Sequence, residues 1–196
     1  MHRLRALLLP GLAVATLAAG APTLAQGVAM PPHPDINTTG FSGDADTLSN
    51  AVKTIEAASG GRVVEIRYNN VAGVPGYDYV VEKDSQVSFK RFSVPTGGMI
   101  TLTEKTEPAW MLNWRQRQDV KVASTAKVSL SDAIHTAEAQ TRAPAVAAGI
   151  AASASNPTSD VHAYNVAVLT QGRLRRVAVD SDTGQPIEDP QALSEW

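Results

Sequence analysis

Thr47-Leu48-Ser49-Asn50-Ala51-Val52-Lys53-Thr54-Ile55-Glu56-Ala57 returns 82 positions later as Ser129-Leu130-Ser131-Asp132-Ala133-Ile134-His135-Thr136-Ala137-Glu138-Ala139. Downstream, Phe89-Lys90-Arg91-Phe92-Ser93-Val94 is echoed by Leu174-Arg175-Arg176-Val177-Ala178-Val179 at an offset of 85. A helix-like stretch followed by a strand-like one, twice in the same order, reads as one small unit copied in tandem. The expected fold class is therefore α+β, with two tandem repeats that each pack a helix on a small antiparallel β-sheet.

Both helices carry an apolar stripe at i, i+3, i+4 and i+7. It comprises Leu48, Ala51, Val52 and Ile55 in the first copy and Leu130, Ala133, Ile134 and Ala137 in the second. Thr47 and Ser129 are placed to cap these helices, with Asp132 completing a capping-box variant, and Ser59-Gly60-Gly61 ends the first helix. Beneath the stripes we expect Tyr79, Val81, Phe89 and Phe92 in one copy and Tyr164, Val166, Leu174 and Val177 in the other.

The strand signals are shorter. Val63, Val64 and Ile66 form a β-branched run, Asn69 to Gly76 reads as a turn, Tyr77 to Glu82 alternates, and Gln171-Gly172 marks a compact hairpin. Phe89 and Phe92, like Leu174 and Val177, are three apart, which a period of two cannot keep on one face. Either a β-bulge lies near Lys90-Arg91, and again at Arg175-Arg176, or the strand is buried on both faces at different points along its length. The alanine-rich stretch from Ala143 to Ala154 reads as an extension of the second helix, and Val120, Val122 and Ala123 have a strand-like rhythm.

Arg3 and Arg5, an apolar run from Ala6 to Ala19 and Thr23-Leu24-Ala25 have the layout of an export signal cleaved near Ala25. The chain is expected to divide into a signal peptide 1–25, a flexible leader 26–46, repeat one 47–104, a connector 105–127, repeat two 128–190 and a C-terminal tail 191–196. That implies a periplasmic or secreted product with no stable membrane insertion after signal removal. Cysteine is absent, so neither disulfides nor thiolate metal sites contribute. Removing Arg3 and Arg5 from 17 basic residues leaves 15 against 19 acidic, a net of −4, which does not suit a nucleic-acid partner.

Once the repeated helix and hairpin are in view, Val177-Ala178-Val179-Asp180-Ser181-Asp182-Thr183-Gly184-Gln185-Pro186-Ile187 resembles the ending of a PepSY domain. That pattern is a capped helix, a strand with a central Tyr, and a last strand closing V-x-V-D-x-x-T-G-x-x-hydrophobic. Tyr164 and Tyr79 match the central aromatic. The first copy ends Val94-Pro95-Thr96-Gly97-Gly98-Met99-Ile100, which lacks the Asp and two positions. The resemblance implies a small α+β module of secreted, periplasmic or envelope proteins. Because such modules occur in propeptides of secreted metallopeptidases, it also implies a role in modulating peptidases.

No catalytic constellation stands out: there is no Gly-x-Ser-x-Gly elbow, phosphate loop or paired carboxylates within one copy. The chain is expected to be non-enzymatic and without cofactors. Of the histidines, His2 leaves with the signal, His33 lies in the leader, and His135 and His162 belong to the second copy, so no metal ligand set is expected. Glu56 and Glu138 recur at equivalent helical positions and read as solvated helix edges. Candidate binding residues are Trp110 and Trp114 in the connector and Asp180 and Asp182 in the acidic turn. The expected function is an exported binding or regulatory module, its partner an envelope or secreted protein such as a peptidase. The alternative is a small-ligand or metal-binding envelope protein using the cleft between repeats.

Overall fold

A computed structural model describes residues 36–44, 46–93, 98–108, 111–112, 114–152 and 162–187. The expected signal peptide and C-terminal tail lie outside these residues. The described elements run α1 (Thr47–Ser59), β1 (Arg62–Val71), β2 (Val74–Lys83), β3 (Gln86–Ser93), β4 (Gly98–Pro108), α2 (Trp114–Thr125), α3 (Leu130–Thr141), β5 (Ala145–Ala152), β6 (His162–Thr170) and β7 (Arg173–Asp180).

The strands form one antiparallel sheet ordered β4-β3-β2-β1-β5-β6-β7, which corrects the expectation of two small sheets. The join is β1 on β5, through Glu65 opposite Gly149, Ile66 opposite Ala148 and Arg67 opposite Ala147. Pairing those strands at the centre removes two edges whose bare N–H and C=O groups would invite aggregation. The α+β class is as expected.

The stripes of α1 and α3 are buried as read, and the two helices pack on each other over β1, β2, β5, β6 and β7. Under them lie Ile66, Tyr68, Tyr77, Tyr79, Val81, Tyr164 and Val166 in one continuous core. Burying each large apolar side chain contributes about 1.5–3 kcal/mol, so the shared core holds both halves where either alone would be marginal. Leu174 is buried and Val177 partly so, while the side chains of Phe89 and Phe92 lie outside the described residues.

Ser129 caps α3 as expected: its Oγ accepts from the Asp132 N–H at 3.1 Å and donates to Asp132 Oδ2 at 2.7 Å. Thr47 does not cap α1. Asp46 holds the N-cap position in the left-handed region at φ 68°, without a side-chain cap bond, and the Thr47 hydroxyl donates to the Asp44 carbonyl. Both helices end on a left-handed residue, Gly60 (φ 66°) and Arg142 (φ 53°), whose N–H donates to the Glu56 and Glu138 carbonyl respectively.

Three two-residue hairpins have positive φ at both turn positions: Ala72-Gly73, Asp84-Ser85 and Gln171-Gly172. That geometry matches the right-handed twist of the flanking strands. The expected turn over Asn69 to Gly76 therefore shrinks to Ala72-Gly73, because β1 and β2 continue pairing to Val71 opposite Val74.

The register shift foreseen near Lys90-Arg91 falls between Phe89 and Arg91, on the β3–β4 side. Its expected counterpart is absent, for β6 and β7 pair without a break past Arg175 and Arg176. The irregularity that does recur lies in the first strands, between Val63 and Glu65 in β1 and between Ala145 and Ala147 in β5.

Two element types are reversed relative to the sequence reading. Ala145–Ala152 is a strand, not helix: Arg142 turns left-handed and Pro144 disfavours helix in the residue before it. Residues of both parities are buried along β6 and through the described part of β5, so small side chains suit a strand covered on both sides. Val120, Val122 and Ala123 belong to α2, which rests on β1 and β5 with Val122 and Ala123 buried. Residues 36–44 of the expected leader pack on the sheet: Phe41 meets Tyr68 edge-on at 4.9 Å, and Asn37 Nδ2 donates to the Asn70 carbonyl.

Candidate functional site

Glu138 organises the seam between α1 and α3. Only 4% exposed, it accepts at Oε1 from the Ala145 N–H and at Oε2 from the Asp46 N–H, both at 2.8 Å. One carboxylate thus holds the start of β5 and the start of α1, 92 residues apart from it in the latter case. Glu56 makes the corresponding strand bond, accepting at Oε1 from the Val63 N–H at 3.0 Å, and is half-buried. Reading the two glutamates as solvated edges is corrected: each accepts from the N–H of a residue seven positions later at the start of a strand, the second residue of β1 and the first of β5.

His135 lies three residues before Glu138, on the same helical face. Its Nδ1 is 2.8 Å from Asp46 Oδ1, with the histidine side chain 68% and the aspartate side chain 51% exposed. The N-cap residue of α1, which does not cap its own helix, turns its carboxylate to α3. One donor atom from each of Asp46, His135 and Glu138 lies within 4.8 Å of the other two. The local spacing of His135 and Glu138 is legible in sequence, but Asp46 is 89 residues from His135 and was assigned to the leader.

The acidic turn after β7 is built for its own backbone. Asp180 Oδ1 accepts from the N–H groups of Asp182 and Thr183 and from the Thr183 hydroxyl, at 2.7–2.9 Å. Partial burial pushes the Asp180 carboxyl up, but those hydrogen bonds and Lys127 outweigh it and hold it below its ordinary value. Gly184 adopts φ 71° and donates to the Asp180 carbonyl, and Ile187 N–H returns to Ala178, so the chain folds back on the β7 edge. Asp182 is exposed, 3.7 Å from Lys127 Nζ. Trp114 opens α2 with its side chain outside the described residues, as is all of Trp110.

Two tyrosines complete the core beneath the seam. Burial raises the Tyr77 hydroxyl well above its ordinary value, with Tyr68 and Glu138 adding to it. Burial likewise raises Tyr164, whose hydroxyl donates to the Val128 carbonyl at 2.7 Å. Both act as neutral anchors.

The chain is an α+β protein whose described helices rest on a single antiparallel sheet. No protein-family model matches it, and neither does any curated protein. Among solved structures, the crystal structure of a candidate lipoprotein from Clostridium difficile 630 is similar at 15% identity and a TM-score of 0.44, over 74% of this chain and 93% of that one. Among the described residues no helix is long and apolar enough to cross a membrane.

Proposed function

We propose that this chain is an exported protein of the cell envelope, built from two PepSY-like units that share a sheet and acting without catalysis as a binding or regulatory module. The carrying observation is the recurrence of one local device. Glu56 bonds Val63, Gly60 turns left-handed and β1 slips at Val63/Glu65; 82 positions on, Glu138 bonds Ala145, Arg142 turns left-handed and β5 slips at Ala145/Ala147. Shared hydrogen bonds and shared irregularities are harder to reach by chance than a shared apolar stripe.

Past the first strand the offset is 87 rather than the 85 read from sequence: Thr170 pairs Arg173 as Lys83 pairs Gln86. Tyr77, not Tyr79, is then the counterpart of Tyr164, and both are buried. The units are taken as 47–104 and 128–190 with 105–127 as connector, although β4 (Gly98–Pro108) runs four residues past the first of these boundaries.

A peptidase of the envelope or medium is the partner class the PepSY resemblance favours. The test is affinity capture from periplasmic extract on the chain beginning at Gln26, with peptidase activity measured in the bound fraction. Activity that is retained and then suppressed by excess free chain supports the proposal. A bound fraction with no more peptidase activity than an unrelated bait overturns the peptidase assignment.

A further inference from the structure

We propose that Asp46, His135 and Glu138 form a binding site for a divalent metal ion of the zinc class, placed where α1 begins against α3. Glu138 is buried beside a second carboxylate, and among the described residues no Lys or Arg forms an ion pair with either. Buried charge is tolerated where it is paired or coordinates a metal. The two N–H donors to Glu138 leave a lone pair on each oxygen, and His135 supplies the nitrogen that distinguishes a zinc-type set from the all-oxygen cages of calcium and magnesium.

The duplicated frame does not account for this cluster. In the first half Lys53 stands where His135 stands in the second. Val128, 82 positions after Asp46, sends its N–H to the Ser181 carbonyl rather than to Glu56. Among the described residues, only the place where α1 begins against α3 gathers three such donors.

The fit needs donors now as far as 4.8 Å apart to close by up to about 1.5 Å, and one pair to open. Donors around a tetrahedral zinc ion stand roughly 3.3 Å apart, given bonds near 2.0–2.2 Å. His135 Nδ1 and Asp46 Oδ1 are hydrogen-bonded at 2.8 Å and must part by about 0.5 Å, which exposed side chains allow. Three protein ligands leave the fourth position to water or to a donor from a bound molecule, as in open zinc sites. The ion would tie the N-cap residue of α1 to α3.

Cobalt(II) titration followed by visible absorption, and zinc(II) titration by calorimetry, on the chain from Gln26 test the site against His135→Ala, Asp46→Asn and the leader control His33→Ala. Expected are one equivalent bound, tetrahedral-type cobalt bands, a zinc-induced rise in melting temperature, and binding weakened about tenfold or more by His135→Ala and Asp46→Asn but not by His33→Ala. His135 is exposed, so its variant keeps the metal-free far-ultraviolet spectrum. No saturable binding by the parent chain, or equal binding by His135→Ala, overturns the site. Peptidase capture in the preceding test does not depend on either result.

Discussion

Removing the Glu138 carboxylate should cost far more than removing its counterpart Glu56. Glu138→Ala leaves two N–H groups, those of Ala145 and Asp46, without acceptors, the first of them buried. A hydrogen bond to a charged group contributes about 1.5–3 kcal/mol, and an orphaned buried donor costs about 1–3 kcal/mol, so the loss is about 3–5 kcal/mol. Glu138→Gln keeps one carbonyl oxygen but aims an NH2 donor at the other N–H, an intermediate loss of about 1–3 kcal/mol. Glu56→Ala gives up one part-buried bond to a charged group, about 1.5 kcal/mol. Urea unfolding followed by circular dichroism, with chelator present throughout, ranks the three. The reasoning is refuted if Glu138→Gln matches the parent, or if Glu56→Ala costs as much as Glu138→Ala.

Arg142 occupies the left-handed helix end that Gly60 occupies in the first half, so Arg142→Gly should stabilise by about 1 kcal/mol, read as a raised urea midpoint with unchanged slope. Asp180 has a depressed folded-state pKa, so its contribution is present above the unfolded carboxylate value and is lost as pH falls through the folded one. Asp180→Asn should therefore destabilise at pH 7 by about 1 kcal/mol, with the gap to the parent closing on acidification in unfolding curves at successive pH values.

What was legible in the sequence is what local chemistry decides. The stripes of α1 and α3 follow from 3.6-residue spacing, the Ser129 cap from a hydroxyl before an apolar run, and the Gln171-Gly172 hairpin from turn residues that accept positive φ. Ala145–Ala152 reads as helix in sequence because alanine favours helix when only its neighbours count, whereas pairing with β1 and β6 decides here. The Val120 to Ala123 segment carries too narrow an apolar stripe to announce a helix. The second bulge does not form because Leu174 and Val177 do not share a face: they pair in unbroken register with Leu169 and Val166. The seam itself was out of reach: no pattern within a window relates Asp46 to His135.

Under the duplicated-unit reading, the positions where the halves agree and those where they part do different work. Glutamate at 56 and 138, the left-handed helix end and the slipped first strand recur because each unit must pass from a helix into a strand with every N–H answered. Divergence at 53 and 135 touches none of those requirements, since Lys53 and His135 are both exposed, and at 46 and 128 each N–H is answered by a different acceptor, Glu138 and Ser181. It changes instead what the seam offers to a ligand. A carboxylate kept at 138 for architecture becomes, with an imidazole beside it and an aspartate facing it, a donor set the other half lacks. Recruitment of this kind needs an imidazole at 135 and, at 46, both an aspartate side chain and a backbone N–H turned to Glu138, where Val128 turns its N–H to Ser181 instead, so the asymmetry of the seam is where a function distinct from the parent unit's is to be sought.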